Sequence, residues 1–148
     1  MGKQSPKFAL DTNFLVAVLC DWHEFHAATR TAYDDLRRGR GPFIVAAHSL
    51  LECFSVLTRM PPPYRFSPEK ALCLLRENLS GSAVISGLDQ ELCWSTIREL
   101  SQLGLGGGMV YDAAIARSVR QAGATVLLTW NVKDFLRVAP PGLEIREP

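Results

Sequence analysis

Three short, largely apolar runs, Lys7 to Leu10, Phe43 to Ala47 and Ala124 to Thr129, alternate with stretches of helical periodicity, and this alternation most restricts what the chain can fold into. Parallel neighbours need a crossover, and a helix is the usual crossover. The chain therefore reads as α/β, with helices on both faces of a mostly parallel sheet.

The segments follow in order. After the first strand, Phe14 to Cys20 reads as a helix beginning just beyond Asp11-Thr12-Asn13, and a second runs from Trp22 to Arg38, closed by Gly39 to Pro42. The Phe43 to Ala47 strand leads into a helix from His48 to Arg59, which Pro61-Pro62-Pro63 stops because proline supplies no amide donor. Ser67-Pro68-Glu69 marks a helix start with proline at the first helical position, and that helix runs to Leu79. Ala83 to Ser86 is a weaker strand. Asp89 caps a helix through Leu103, Gly104 to Gly108 breaks the chain, and a helix from Val110 to Gln121 stops at Gly123 before the strand Ala124 to Thr129. No repeat, low-complexity tract or linker divides the 148 residues, so one domain spanning 1–148 is expected.

Charged residues make up 21% of the chain and hydrophobic ones 47%, a balance that supports a core and leaves no room for a long disordered tail. The net charge of +1 neither favours nor excludes a polyanionic partner. Cys20, Cys53, Cys73 and Cys93 lack the paired spacing of a zinc or redox motif and read as buried free thiols. No apolar run reaches the length of a membrane span, and the first six residues lack a secretory signal's apolar core, so a cytoplasmic, non-membrane protein is expected.

Against this background the placement of several acids stands out. Asp11 ends an apolar strand, Glu52 is the only charge between Leu50 and Leu57, and Asp112 shares a helix face with Ile115, Val119 and Ala122. Burying an unpaired carboxylate costs several kcal/mol or forces it to take up a proton, so such acids point to a compensating cation. In α/β sheets the ligand site lies beyond the carboxyl ends of the strands, where Asp11 and Asn131 both fall. Each acid also has an ordinary reading. Asp112 can complement the positive end of its helix dipole. Glu52 lies to one side of the face formed by Leu50, Phe54 and Leu57, as a solvated or salt-bridged glutamate would. Thr12 and Asn13 can cap a helix or hold the neighbouring carboxylate.

The surrounding segments resemble the PIN-domain family of metal-dependent ribonucleases. Leu10-Asp11-Thr12-Asn13-Phe14 resembles that family's opening strand and first acid, and His48 to Arg59 its second acid, Glu52, on a helix. Tyr111-Asp112-Ala113-Ala114 matches the third acidic site. Gly123 to Phe135 resembles the closing strand, polar turn and Asp-Phe signature. Together with the small size, Asp21-Trp22-His23-Glu24-Phe25-His26 is most similar to VapC-type toxins of bacterial toxin–antitoxin pairs.

The resemblance implies a three-layer α/β/α sandwich and hydrolysis of RNA phosphodiester bonds. It implies Mg²⁺ or Mn²⁺ held by Asp11, Glu52 and Asp112, in keeping with the preference of hard cations for carboxylate oxygen. At the fourth acidic position Asn131 stands where aspartate is common, and Asp134 is the better candidate for the acid. Thr12, Asn13, Thr129 and Asn131 would steady the carboxylates and nearby amides. Arg59 and Lys133 would contact phosphate and Trp130 would stack on an unpaired base, whereas Trp94 is expected in the core. Arg37, Arg38 and Arg40 form a basic cluster that reads as a solvated face, and His23 and His26 as surface histidines. The family further implies a homodimer and a small antitoxin that blocks the acidic pocket. Two alternatives remain. A PIN fold that has lost catalysis would serve as an RNA- or protein-binding module. A haloacid-dehalogenase-type phosphatase would need an acid two residues after Asp11, where this chain has Asn13.

Overall fold

The computed structural model describes residues 2, 4–39 and 41–148. Five strands form one sheet: β1 (Phe8–Leu10), β2 (Phe43–Ala46), β3 (Ala83–Ser86), β4 (Val126–Leu128) and β5 (Glu144–Arg146). Their order is β3-β2-β1-β4-β5, and every neighbouring pair is parallel. The helices are α1 (Thr12–Leu19), α2 (His26–Arg38), α3 (Ala47–Arg59), α4 (Pro68–Leu79), α5 (Gln90–Leu103), α6 (Met109–Gln121) and α7 (Val132–Leu136).

Side-chain alternation along the strands builds the layers. Leu10, Phe43, Val45, Val126 and Leu128 face a core completed by Phe14 of α1, Tyr33 of α2, Leu57 of α3 and Leu75 of α4. The intervening residues Ala9, Ile44, Ala46 and Leu127 face the other way, against Ile115 and Val119 of α6 and Phe135 of α7. The central strands are thus covered on both faces, giving the three-layer α/β/α arrangement expected. Leu100 of α5 packs in a smaller cluster with Ala113 and Val138.

The chain winds from β1 outward through β2 to β3, then crosses to β4 and β5 on the opposite side. The direction of winding reverses between β1 and β4, and the ends of these two strands splay the segments that follow them. The amide of Asp11 bonds the carbonyl of Leu128 at 3.1 Å, pinning the two strand ends together.

Several expectations change. The short helix α7 and the edge strand β5 were not anticipated, and α2 begins at His26 because Asp21 to Phe25 form turns. Asp11 itself is the N-cap of α1, so Thr12 and Asn13 lie within the helix and do not cap it. The buried stripe of α3 runs through Ser49, Cys53 and Leu57, while Phe54 is exposed. Ala122 is exposed beyond the end of α6. All four cysteines are free, but only Cys20 and Cys53 are buried; Cys73 and Cys93 lie on outward faces of α4 and α5. Trp94 is 57% exposed and outside the core. No helix among the described residues is long and apolar enough to cross a membrane.

Candidate active site

The reversal between β1 and β4 brings together residues more than a hundred positions apart. Asp11 follows β1 and is 5% exposed; Thr129 follows β4 and is fully buried. Thr129 Oγ1 donates to Asp11 Oδ2 at 2.9 Å and approaches Asn13 Oδ1 at 3.3 Å. A hydroxyl has one proton, and the shorter contact assigns it to Asp11. The same oxygen accepts from the Asn131 amide at 3.0 Å, and Asn13 Oδ1 accepts from the Trp130 amide at 3.1 Å. Thr129 and Asn13 therefore hold both the acid and the turn after β4.

Trp130 extends this framework. Its indole N–H donates to Thr29 Oγ1 at 2.9 Å, and its ring stacks on Phe25 with centroids 4.2 Å apart and planes at 11°. The indole of Trp130 ties α2 to the loop following β4, and the residue is partly exposed. His23 and His26 have local roles as well: His26 Nδ1 lies 2.8 Å from the carbonyl of Ala17, and His23 Nδ1 accepts from the Phe25 amide. Both are partly exposed: His23 lies in the turns before α2, and His26 is the first residue of that helix.

Electrostatics gather the acids into one neighbourhood. Burial pushes the Asp11 carboxyl up to about 7, against the Thr12 amide and the Thr129 hydroxyl, which favour its charge; Asp112 and Glu52 add repulsion. The N-terminus of α1 also favours an anion at this position, yet desolvation wins. Asp112, in the first turn of α6, is likewise raised, first by burial and then by the charges of Asp134 and Glu52, with His48 opposing. The charge of Glu52 thus reaches both Asp11 and Asp112, and that of Asp134 reaches Asp112, although Asp134 is exposed on α7. Asn131 holds the start of α7 through its backbone and makes no side-chain capping bond. Among the described residues no three His, Cys, Asp or Glu side chains are close enough to enclose a metal ion as they stand.

Glu52 is half-exposed and its Oε2 lies 3.1 Å from His48 Nε2. The imidazole of His48 stacks on Tyr111, the residue before Asp112, with centroids 5.0 Å apart and planes at 6°. The His48–Glu52 spacing of one helical turn was visible in the sequence; the contact with Tyr111 across to α6 was not. A cavity of about 600 Å³ lies elsewhere, lined in part by Phe8, Leu36, Pro42 and Phe43 around the starts of β1 and β2. Its walls offer no acidic cluster, so the chemistry points to the acids at the strand ends and not to the cavity.

The other basic candidates separate into two groups. Arg59 and Lys133 are exposed, with no ion pair between described residues. Arg38 pairs with Asp35, and Arg37 lies over the Tyr33 ring at the end of α2 that leads into the start of β2, away from the strand end carrying Asp11. Arg40 lies outside the described residues.

The family model described as PIN domain matches residues 8–140. Ribonuclease VapC40 of Mycobacterium tuberculosis is 34% identical over 119 residues, covering 80% of this chain and 83% of that protein. The chain belongs to the PIN-domain VapC ribonuclease family. Ribonuclease VapC27 of the same organism is 34% identical over 111 residues, 75% of each chain. DNA-bound VapBC from Salmonella typhimurium contains a chain that superposes with a TM-score of 0.69 at 22% identity, covering 96% of this chain and 98% of that one. In this PIN domain Asp11 lies at the sheet's switch point, and the other acids come from three further elements: Glu52 from α3, Asp112 from α6 and Asp134 from α7.

The donor set fits a hard divalent cation. The oxygens are carboxylate, the most buried acid is held up to about 7 by unmet desolvation and neighbouring negative charge, and the adjacent Thr12 hydroxyl is buried without a partner. A cation would relieve the first and a water bound to it the second.

Proposed function

We propose that this chain is a metal-dependent endoribonuclease and the toxin half of a toxin–antitoxin pair. The observation that carries the reading is Asp11: a buried carboxylate at the switch point, facing negative charge from Glu52 and Asp112. Asp11, Glu52 and Asp112 would hold the ion, with Asp134 supplying further negative charge beside Asp112. When bound, Mg²⁺ or Mn²⁺ supplies Lewis acidity at a phosphate oxygen and acidifies water for attack on phosphorus. Thr129 fixes the orientation of Asp11, and Asn13 secures the loop that carries Trp130 and Asn131. Arg59 and Lys133 would bind RNA phosphates, which orient the strand without reading sequence. Trp130, which is partly exposed, would be available to an unpaired base.

The solved VapBC complexes among the structural neighbours support a small cognate antitoxin as partner. Exposed apolar pairs three residues apart, Leu51 and Phe54 on α3 and Trp94 and Ile97 on α5, are compatible with burial against an antitoxin segment or a second copy. The reading as a non-catalytic binding module loses support from the shared neighbourhood of the acids.

The test is cleavage of a pool of structured RNAs by purified, antitoxin-free protein with Mg²⁺ or Mn²⁺, beside Asp11→Asn and an EDTA control. Discrete cuts that vanish in both controls are expected. Undiminished cutting in EDTA, or equal cutting by the variant, would overturn the reading.

A further inference from the structure

The His48 side chain touches Glu52 on its own helix and Tyr111, the neighbour of Asp112, on α6. Its Nε2 lies 3.1 Å from Glu52 Oε2, and its ring is parallel to Tyr111, one residue from Asp112. An ionised carboxylate only accepts hydrogen bonds, so the Nε2 atom carries the proton in this contact, whichever form Nδ1 takes. The stack then fixes the plane of the imidazole and the direction of that N–H. The ring is also near enough to Asp112 to act on its charge.

Resting on the metal-centre reading above, we propose that His48 is a positioning residue that aims the Glu52 carboxylate for cation binding and couples α3 to α6 through Tyr111. Glu52 needs such a device more than Asp11 does. Asp11 is buried and held by Thr129, whereas the Glu52 side chain is 41% exposed and has three rotatable torsions of its own. No other described side chain bonds its carboxylate. Partners that orient a ligand in this way typically change metal affinity by 10- to 100-fold when removed. A pair at i and i+4 on a helix surface would by itself add only marginally to helix stability and leave metal affinity untouched.

Mn²⁺ binding by the full chain, read from the electron paramagnetic resonance of the free ion, separates these roles. Wild type would be compared with His48→Ala, His48→Gln, Glu52→Gln and Asp11→Asn, with thermal melts confirming that each is folded. His48→Ala is expected to weaken Mn²⁺ binding roughly tenfold or more. His48→Gln, which returns an N–H donor near the same place, should recover to within about threefold of wild type. The same ranking should hold for the Mn²⁺ concentration giving half-maximal RNA cleavage. If His48→Ala binds Mn²⁺ like wild type while Glu52→Gln and Asp11→Asn are weakened, the role given to His48 is wrong and the metal centre stands. If neither acid variant is weakened, the metal centre itself is wrong and the inference falls with it. Equal weakening in His48→Ala and His48→Gln would overturn the donor role.

Discussion

Between about pH 4 and pH 7 the metal-free native protein holds a proton on Asp11 that the unfolded chain has already released, since burial lifts this carboxyl to about 7 from an ordinary 3.8. The unfolded state therefore binds fewer protons in that window, and native stability falls as pH rises through it. The loss is complete above about 7 and on the order of 4 kcal/mol at its largest. Asp112 is shifted in the same direction and reinforces the trend. Thermal melts in EDTA should show a lower midpoint at pH 8 than at pH 5, and a clearly smaller drop in Asp11→Asn; an equal drop in the two proteins would contradict this origin. Thr129→Val addresses the same site from the other side. It removes the hydroxyl that donates to Asp11 and accepts from the Asn131 amide, so about 1–3 kcal/mol of stability should be lost in urea unfolding.

The elements whose ends carry chemical punctuation were the legible ones. Ser67 caps α4 by accepting from the Lys70 amide, and Asp89 caps α5 by accepting from the Leu92 amide, both at the positions read from sequence. Ser67→Ala and Asp89→Ala should each cost about 1 kcal/mol in equilibrium unfolding; unchanged stability would show that tertiary packing alone sets these helix starts. The five residues of α7 and three of β5 are too few to display a period, and they stayed hidden. On α3 the apolar residues Leu50 and Phe54 suggested one buried face, but the layer beneath selected the face with small Ser49 and Cys53. Trp94 was expected inside because it is large and apolar, yet α5 meets the rest of the fold chiefly through Thr96 and Leu100. Asp11 and Thr129 could be placed because they end recognisable strands. The Trp130 contact to Thr29 could not, since 101 residues separate the pair and only the folded topology joins them.

Over the whole molecule, the order β3-β2-β1-β4-β5 helps to bring acids dispersed from residue 11 to residue 134 into a unit whose negative charge bears on Asp11 and Asp112. Such a unit should bind a divalent cation with release of protons, and its affinity should weaken as pH falls below about 7 and Asp11 takes up its proton. Calorimetric titration with Mg²⁺ in buffers of different ionisation enthalpy would count those protons; a pH-independent affinity with no release would rule out Asp11 as a ligand. The most direct measurement is crystallographic. Crystals soaked in Mn²⁺ and measured at the manganese absorption edge should show an anomalous peak bonded to the Asp11 carboxylate, with Asp112 and Glu52 turned toward it. A fully soaked crystal with no peak at Asp11, or with manganese held only by other residues, would contradict the metal centre.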